Sequence, residues 1–260
     1  MIVFKNKIKK IRSINISELA LSSCVLSNDG KSIFVGSWDN NVYIYSIEYG
    51  RVLDTISGHD DAVSAIQLKG TMLFTASWDS TLKLWKCPIS EGESKKSTRV
   101  AEYVEHESEV KCVDFSLENG MGVSGGMDGV IVLWDIGTQN KPGTNEILEN
   151  FEAHHGAVTC VKWIENGKKL ISSGQDGMVN IYSCKIEEED DERRRVRLIE
   201  EIKVLVDDEG VNCVLWNDQI ALAGTQSGNL VVVLPFNLSE SGSQIAKTIS
   251  AHPGLILIYK

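Results

Sequence analysis

The chain has 260 residues, 42% of them apolar and 24% charged, with a formal net charge of −10. Such a length supports one large all-β core, while the acidic balance argues against a general nucleic-acid or anionic-membrane binder, which needs Lys and Arg in excess. No run approaches the ~20 apolar residues of a membrane helix and the opening MIVFKNKIKK lacks the apolar stretch of a signal peptide, so a cytoplasmic protein is expected, at most peripheral to membranes.

Residues 1–17 read as the remnant of an earlier repeat, the end of a third strand and a fourth. One unit then recurs five times across residues 18–250, and such a period decides the fold. The first copy runs from ELALSSCVLS at Glu18 to the turn GSWDNN around Asp39, and the second from HDDAVSAIQL at His59 to ASWDST around Asp79. The third joins HESEVKCVDF at His106 to GGMDGV around Asp128; the fourth joins HHGAVTCVKW at His154 to SGQDGM around Asp176. The fifth joins DDEGVNCVLW at Asp207 to GTQSGN around Ser227, and residues 251–260 restart the unit at His252 as a truncated sixth repeat.

Turn residues follow one another at intervals of 40, 49, 48 and 51 positions, close to the ~40 to 45 of a four-stranded propeller blade. Asp-Gly and Asp-Asn between apolar runs predict hairpins. After each turn residue, the third position (Val42, Leu82, Ile131, Val179, Leu230) and the fifth (Ile44, Leu84, Leu133, Ile181, Val232) are apolar in every copy, the period of two of a strand with a buried face. The extra length lies in CPISEGESKKSTR from Cys87, GTQNKPGTNE from Gly137 and the charge run from Glu187 to Arg195, all expected as solvated loops on one face. The predicted fold is therefore all-β: a propeller of five complete four-stranded blades with partial blades at both ends, an incomplete ring. Its exposed strand backbone predicts a marginal or aggregation-prone chain, unless residues 255–259 pair with the N-terminal remnant.

These units resemble the WD40 family, whose blades share a hydrogen-bonded set of His, Ser or Thr, Asp and Trp. The matching residues are His59, Thr75, Asp79 and Trp85 in the second repeat, His106, Ser124, Asp128 and Trp134 in the third, and His154, Ser172 and Asp176, with Tyr182 for Trp, in the fourth. Linked in this way, buried polar groups satisfy one another and fix the turn. The first repeat has Asp39 but Glu18, Val35 and Tyr45 in the other columns, and the fifth has Asp207, Ala223, Ser227 and Val233; these two blades are expected to be held by apolar packing instead. The stretch from Ala20 to Trp85 and the segment GTQSGNLVV resemble, more narrowly, the C-terminal WD repeats of the BEACH-domain family of the factor associated with neutral sphingomyelinase activation. That resemblance implies a cytoplasmic adaptor coupling the tail of a tumour-necrosis-factor receptor to sphingomyelin hydrolysis. It also implies upstream pleckstrin-like and BEACH modules, for which 260 residues leave no room, so a fragment, an isoform or an incomplete gene product is expected.

Cys24, Cys112, Cys160 and Cys213 fall in one column of successive repeats, which predicts small buried hydrophobes rather than disulfides or metal ligands. The repeat-equivalent histidines are expected as framework hydrogen-bonders. With no P-loop, H-E-x-x-H, G-x-S-x-G or dinucleotide fingerprint, no enzyme, cofactor or metal is expected. The partner surface is expected on the face carrying the turns, from Trp38, Trp78, Met127, Gln175 and Gln226, each preceding a turn residue. The competing expectation is that each Trp folds over its own blade. Around this row stand Asp60, Asp61, Glu107, Glu109, Asp207, Asp208 and Glu209, an acidic rim suited to a basic, partly apolar protein or peptide, such as a receptor tail. Alternative binders are a ubiquitin-ligase substrate receptor, which often shows W-D-x-R where this chain has WDNN, WDST and WDIG, and a phosphoinositide-binding propeller of vesicle trafficking, whose F-R-R-G motif is absent.

Overall fold

A computed structural model describes residues 13–88, 96–138, 143–188, 194–217, 220–234 and 245–250. They form five four-stranded antiparallel sheets, each built from strands consecutive in the chain. Blade 1 comprises β1 (Leu21–Leu26), β2 (Ser32–Ser37), β3 (Asn41–Ser46) and β4 (Arg51–Ser57). Blade 2 comprises β5 (Val63–Lys69), β6 (Met72–Ser77), β7 (Thr81–Lys86) and β8 (Thr98–Val104), and blade 3 β9 (Val110–Ser116), β10 (Met121–Gly126), β11 (Val130–Asp135) and β12 (Ile147–Glu152). Blade 4 has β13 (Val158–Ile164), β14 (Lys169–Gly174), β15 (Met178–Glu188) and β16 (Arg194–Leu205); blade 5 has β17 (Val211–Asn217), β18 (Ile220–Thr225), β19 (Asn229–Val233) and β20 (Ile245–Ser250).

The turn between second and third strands works by one device throughout. The residue after the turn Asp or Ser takes a positive φ: Asn40 (70°), Ser80 (65°), Gly129 (81°), Gly177 (76°) and Gly228 (84°). Glycine reaches this region without the Cβ penalty, and at Gly129 and Gly177 a Cβ would also run into the carbonyl oxygens of His154 and Asp207 in the next blade's entry loop. Asn40 keeps its side chain and uses it: Nδ2 donates to the Asp60 carbonyl at 3.1 Å.

The core lies between blades. One apolar cluster joins blades 1 and 2 through Phe34, Val42, Ile44 and Ile56 against Val63, Ile66, Leu68 and Leu73. Equivalent clusters join blades 2 and 3, 3 and 4, and 4 and 5. Hydroxyls on the inner strands stitch the same seams, Ser22 to the Val63 carbonyl (2.5 Å), Ser64 to that of Val110 (2.5 Å) and Thr159 to that of Val211 (2.6 Å). Among the described residues no fifth cluster joins blade 5 to blade 1.

Two sequence expectations are corrected. Where described, the charge run opened at Glu187 is no solvated loop: β15 and β16 form a hairpin of 11 and 12 residues, paired as far as Glu187 with Arg195 and Glu188 with Arg194. Its base leans on blade 3, where Val196 is buried and the Leu198 N–H donates to Glu149 Oε2 at 2.7 Å. The tip, residues 189–193, lies outside the described residues, as do 1–12 and 251–260, so of the two end remnants only residues 13–17 are described. The cysteine column is also one residue out in blade 1. Cys24 pairs with Val35, as Val113 pairs with Ser124, so Ser23 and not Cys24 stands level with Cys112. A slip of one position turns a strand side chain to the opposite face.

Candidate interaction face

In blade 3 the indole N–H of Trp134 donates to Ser124 Oγ at 2.9 Å, that hydroxyl meets His106 Nε2 at 2.8 Å, and His106 Nδ1 meets Asp128 at 3.3 Å. Blade 2 repeats the relay through Trp85, Thr75, His59 and Asp79, with contacts of 3.0, 2.8 and 2.8 Å. In blade 4 Ser172, His154 and Asp176 follow at 2.8 and 2.9 Å, while the Tyr182 hydroxyl accepts from Asn180 Nδ2. In blades 3 and 4 the relay is satisfied by a neutral imidazole, with Nδ1–H donating to the carboxylate and Nε2 accepting from the hydroxyl. Burial supports that state by pushing the His106 and His154 pKa values below the usual 6.5, against the pull of Asp128 and Asp176. Burial pushes the Asp79 carboxyl up, but hydrogen bonds from His59, Thr81 and the Asp60 N–H outweigh it and hold it well below the usual range.

Blades 1 and 5 depart from expectation, because polar networks hold them too. Ser17, not Glu18, stands in the histidine position and donates to Asp39 Oδ2 at 2.5 Å, and Tyr43 donates to the same oxygen at 2.7 Å. In blade 5 the polarity is reversed. The entry loop supplies the carboxylate, Asp207, and the turn supplies the hydroxyl, Ser227, which donates to it; Thr225 lies 2.8 Å from Ser227. An acid and a hydroxyl still meet across the turn, so the junction survives exchange of its halves. The sequence columns held Asp207 and Ser227 in view, but a template requiring the acid in the turn hid their partnership.

The network fixes the residue before each turn residue. Backbone N–H groups of Trp38, Trp78, Met127, Gln175 and Gln226 donate to the carbonyls of Ala20, Ala62, Glu109, Ala157 and Gly210, giving the five side chains equivalent positions on one face. Trp38 and Trp78 pack against each other. Their ring centroids lie 5.1 Å apart across the seam between blades 1 and 2, and Lys111 of blade 3 places its ammonium 5.3 Å from the Trp78 centroid. Trp38 remains 45% exposed and Met127 47%. Asp60, Asp61, Glu107, Asp208 and Glu209 are exposed on the entry loops, with Glu109 and Asp207 half-buried. Sequence reading missed Lys111; its signal was a long cation in the inner-strand column otherwise held by Ser22, Ser64, Thr159 and Asn212.

The six cysteines form no disulfide with one another: Cys87, Cys112 and Cys213 are buried, Cys160 and Cys184 half-buried and Cys24 exposed. Burial pushes the Cys112 and Cys160 thiols up, away from the reactive thiolate. Among the described residues no group of three or more His, Cys, Asp or Glu is arranged to hold a metal ion, and no helix is long and apolar enough to cross a membrane.

Comparison with known proteins meets the same repeat. The model of the WD domain, G-beta repeat, matches residues 9–46, 50–86, 97–135 and 145–183, more than half of the chain. Autophagy-related protein 16 of Arabidopsis thaliana is 28% identical over 174 residues, covering 66% of this chain and 30% of that protein. COMPASS component SWD3 of Saccharomyces cerevisiae is 29% identical over 163 residues, 61% of this chain and 49% of that one. The chain thus spans half or less of these relatives' lengths. In structure, the computationally designed Ika8 protein superposes with a TM-score of 0.70 at 20% identity over 93% of this chain and 65% of its own. With U3-55K the TM-score is 0.67 at 17% identity, over 86% and 64%. WD40 propellers are typically interaction scaffolds, and none of these comparisons brings a link to a receptor or to sphingomyelin hydrolysis. Four matched repeats, set as neighbouring blades and pinned in three of them by the His, hydroxyl and Asp relay, place this chain in the WD40 repeat family.

Proposed function

We propose that the chain is a non-catalytic scaffold that holds a basic, partly apolar peptide on the face carrying its turns. The observation that carries this reading is the exposed Trp38 ring packed against Trp78, tilted at 47° with centroids 5.1 Å apart. Lys111 already sits over Trp78, so this aromatic surface accepts a cation, and a cation held over an indole gains about 0.5–2 kcal/mol depending on desolvation. An incoming Lys or Arg would find Trp38 open and carboxylates at Asp60, Asp61, Glu107 and Glu109 around it; Met127 offers an adaptable apolar contact. Gln175 and Gln226 complete the row with amides suited to a peptide backbone. A receptor tail, the partner implied by the resemblance to the sphingomyelinase-activation adaptors, is one peptide of this kind.

The test is a calorimetric titration of the chain with Lys/Arg-rich and Asp/Glu-rich peptides of matched apolar content. Basic peptides should bind, more weakly as salt is raised, and Trp38→Ala with Trp78→Ala together should weaken binding at least tenfold. Equal binding of both peptide classes, or a double variant as good as wild type, would remove this function.

A further inference from the structure

The two ends of the blade array are matching halves of one interface. In every inner strand of blades 2 to 5, the fourth and seventh residues after the His or Asp of the entry loop are buried against the blade before: Val63 and Ile66, Val110 and Val113, Val158 and Val161, Val211 and Val214. Counted from Ser17, the same positions in blade 1 are Leu21 and Cys24; Leu21 is 48% exposed, Cys24 is exposed, and Leu26 beyond them is 53% exposed. Among the described residues no blade stands against this apolar leading face.

Blade 5 shows the complementary lack. Phe34, Val42, Ile44 and Ile56 of blade 1 are buried against blade 2, and Ile171, Val179, Ile181 and Val204 of blade 4 against blade 5. Their counterparts in blade 5 are Leu222, Leu230 and Val232, all half-buried, and Ile249, 38% exposed. Ser22, Ser64 and Thr159 each donate to the next blade, whereas Asn212, in the same position of blade 5, has an Nδ2 without an acceptor.

We propose that the trailing face of blade 5 docks on the leading face of blade 1 in a second copy of the chain, head to tail. Both faces are apolar, and they differ from the internal seams in lacking a neighbour among the described residues. The contact pairs two different surfaces, so it is heterologous, and an open assembly retains one free leading face and one free trailing face, at opposite ends, until it closes. In the internal seam a Cβ built on Gly36 lies 3.4 Å from Ile66 Cγ2. The corresponding pair between copies is Gly224 and Cys24, within the reach of a disulfide once Gly224 carries a thiol.

Sedimentation at micromolar concentrations should show wild type as a dimer or larger. Leu21→Asp and Ile249→Asp, both at exposed positions, should each lose self-association while keeping β-sheet circular dichroism. Mixed together they should form a heterodimer, because each variant supplies the intact face that the other lacks. Gly224→Cys should give a reducible dimer on mild oxidation, abolished by adding Cys24→Ala. A wild type that stays monomeric, variants that associate like wild type, or a mixture that fails to pair overturns the proposal. The turn face lies outside this contact, so peptide binding and self-association succeed or fail separately.

Discussion

Blade 3 and blade 1 are built on one plan, yet their inner strands have opposite fates. In blade 3 Val110, Val113 and Phe115 are buried to 0, 2 and 0% exposure; their equivalents in blade 1, Leu21, Cys24 and Leu26, are exposed. The hydrogen-bond set follows the same division. Blade 3 holds the full Trp, Ser, His and Asp relay, while blade 1 has Ser17 and Tyr43 on Asp39 and leaves the buried Tyr45 hydroxyl without a partner, since Val35 stands where the hydroxyl should be. Apolar character alone therefore does not bury a strand: Leu21 is as hydrophobic as Val110, and only the neighbouring blade separates them.

The sharpest way to break this comparison is to truncate both strands at the same position. Phe115→Ala should cost about 3–5 kcal/mol in denaturant unfolding, since it empties a packed seam; Leu26→Ala should cost less than about 1 kcal/mol, as little neighbouring structure is lost. Equal losses would mean that blade 1's leading face is covered in solution. A middle-sized effect is expected from acid. In the unfolded chain histidines take up protons near 6.5, whereas His106 and His154 resist charging when buried. Stability should therefore be flat above that value and fall as the pH drops below it. Asp79 and Asp176, whose pKa values folding depresses, add a further loss of the same sign as the pH falls through and below the usual carboxylate value of 3.8. Thermal melts from pH 8 to about pH 2 should show this order, the histidine loss first and the carboxylate loss below it, and a melting temperature that rises on acidification to pH 5 would contradict the neutral-imidazole relay. The smallest effect is at Tyr45: Tyr45→Phe should leave stability unchanged or raise it slightly, because the lost hydroxyl bonds to nothing, while Trp134→Phe should cost at least 1 kcal/mol by removing the donor to Ser124.

Much of this was legible in the chain. The turn residues Asp39, Asp79, Asp128, Asp176 and Ser227 marked the hairpins, and the apolar columns after them marked the buried strand. His59, His106 and His154 were readable as framework groups because they recur 20, 22 and 22 residues before a turn carboxylate. Ser17 was not, because a small hydroxyl one residue from the expected column is a weak signal, and only its 2.5 Å bond to Asp39 sets the frame. That single-residue error carried Cys24 into the wrong column. The β15–β16 hairpin was hidden for a different reason: alternating strand character in YSCKIEEEDDERRRVRLIE is masked by its charge density, and the pairing of Glu188 with Arg194 is a contact of sheet register rather than of local propensity.

The sequence by itself determined the local unit: the repeat, its turns and the apolar columns that follow them, because period and turn chemistry are properties of neighbours along the chain. Tertiary structure alone decided what each column meets. It set Trp38 against Trp78, brought Lys111 over the ring, reversed acid and hydroxyl in blade 5, and left the leading face of blade 1 open. Burial and pairing between blades depend on groups that the chain brings together from roughly a blade apart, and a repeat pattern carries no record of whether that neighbour is there.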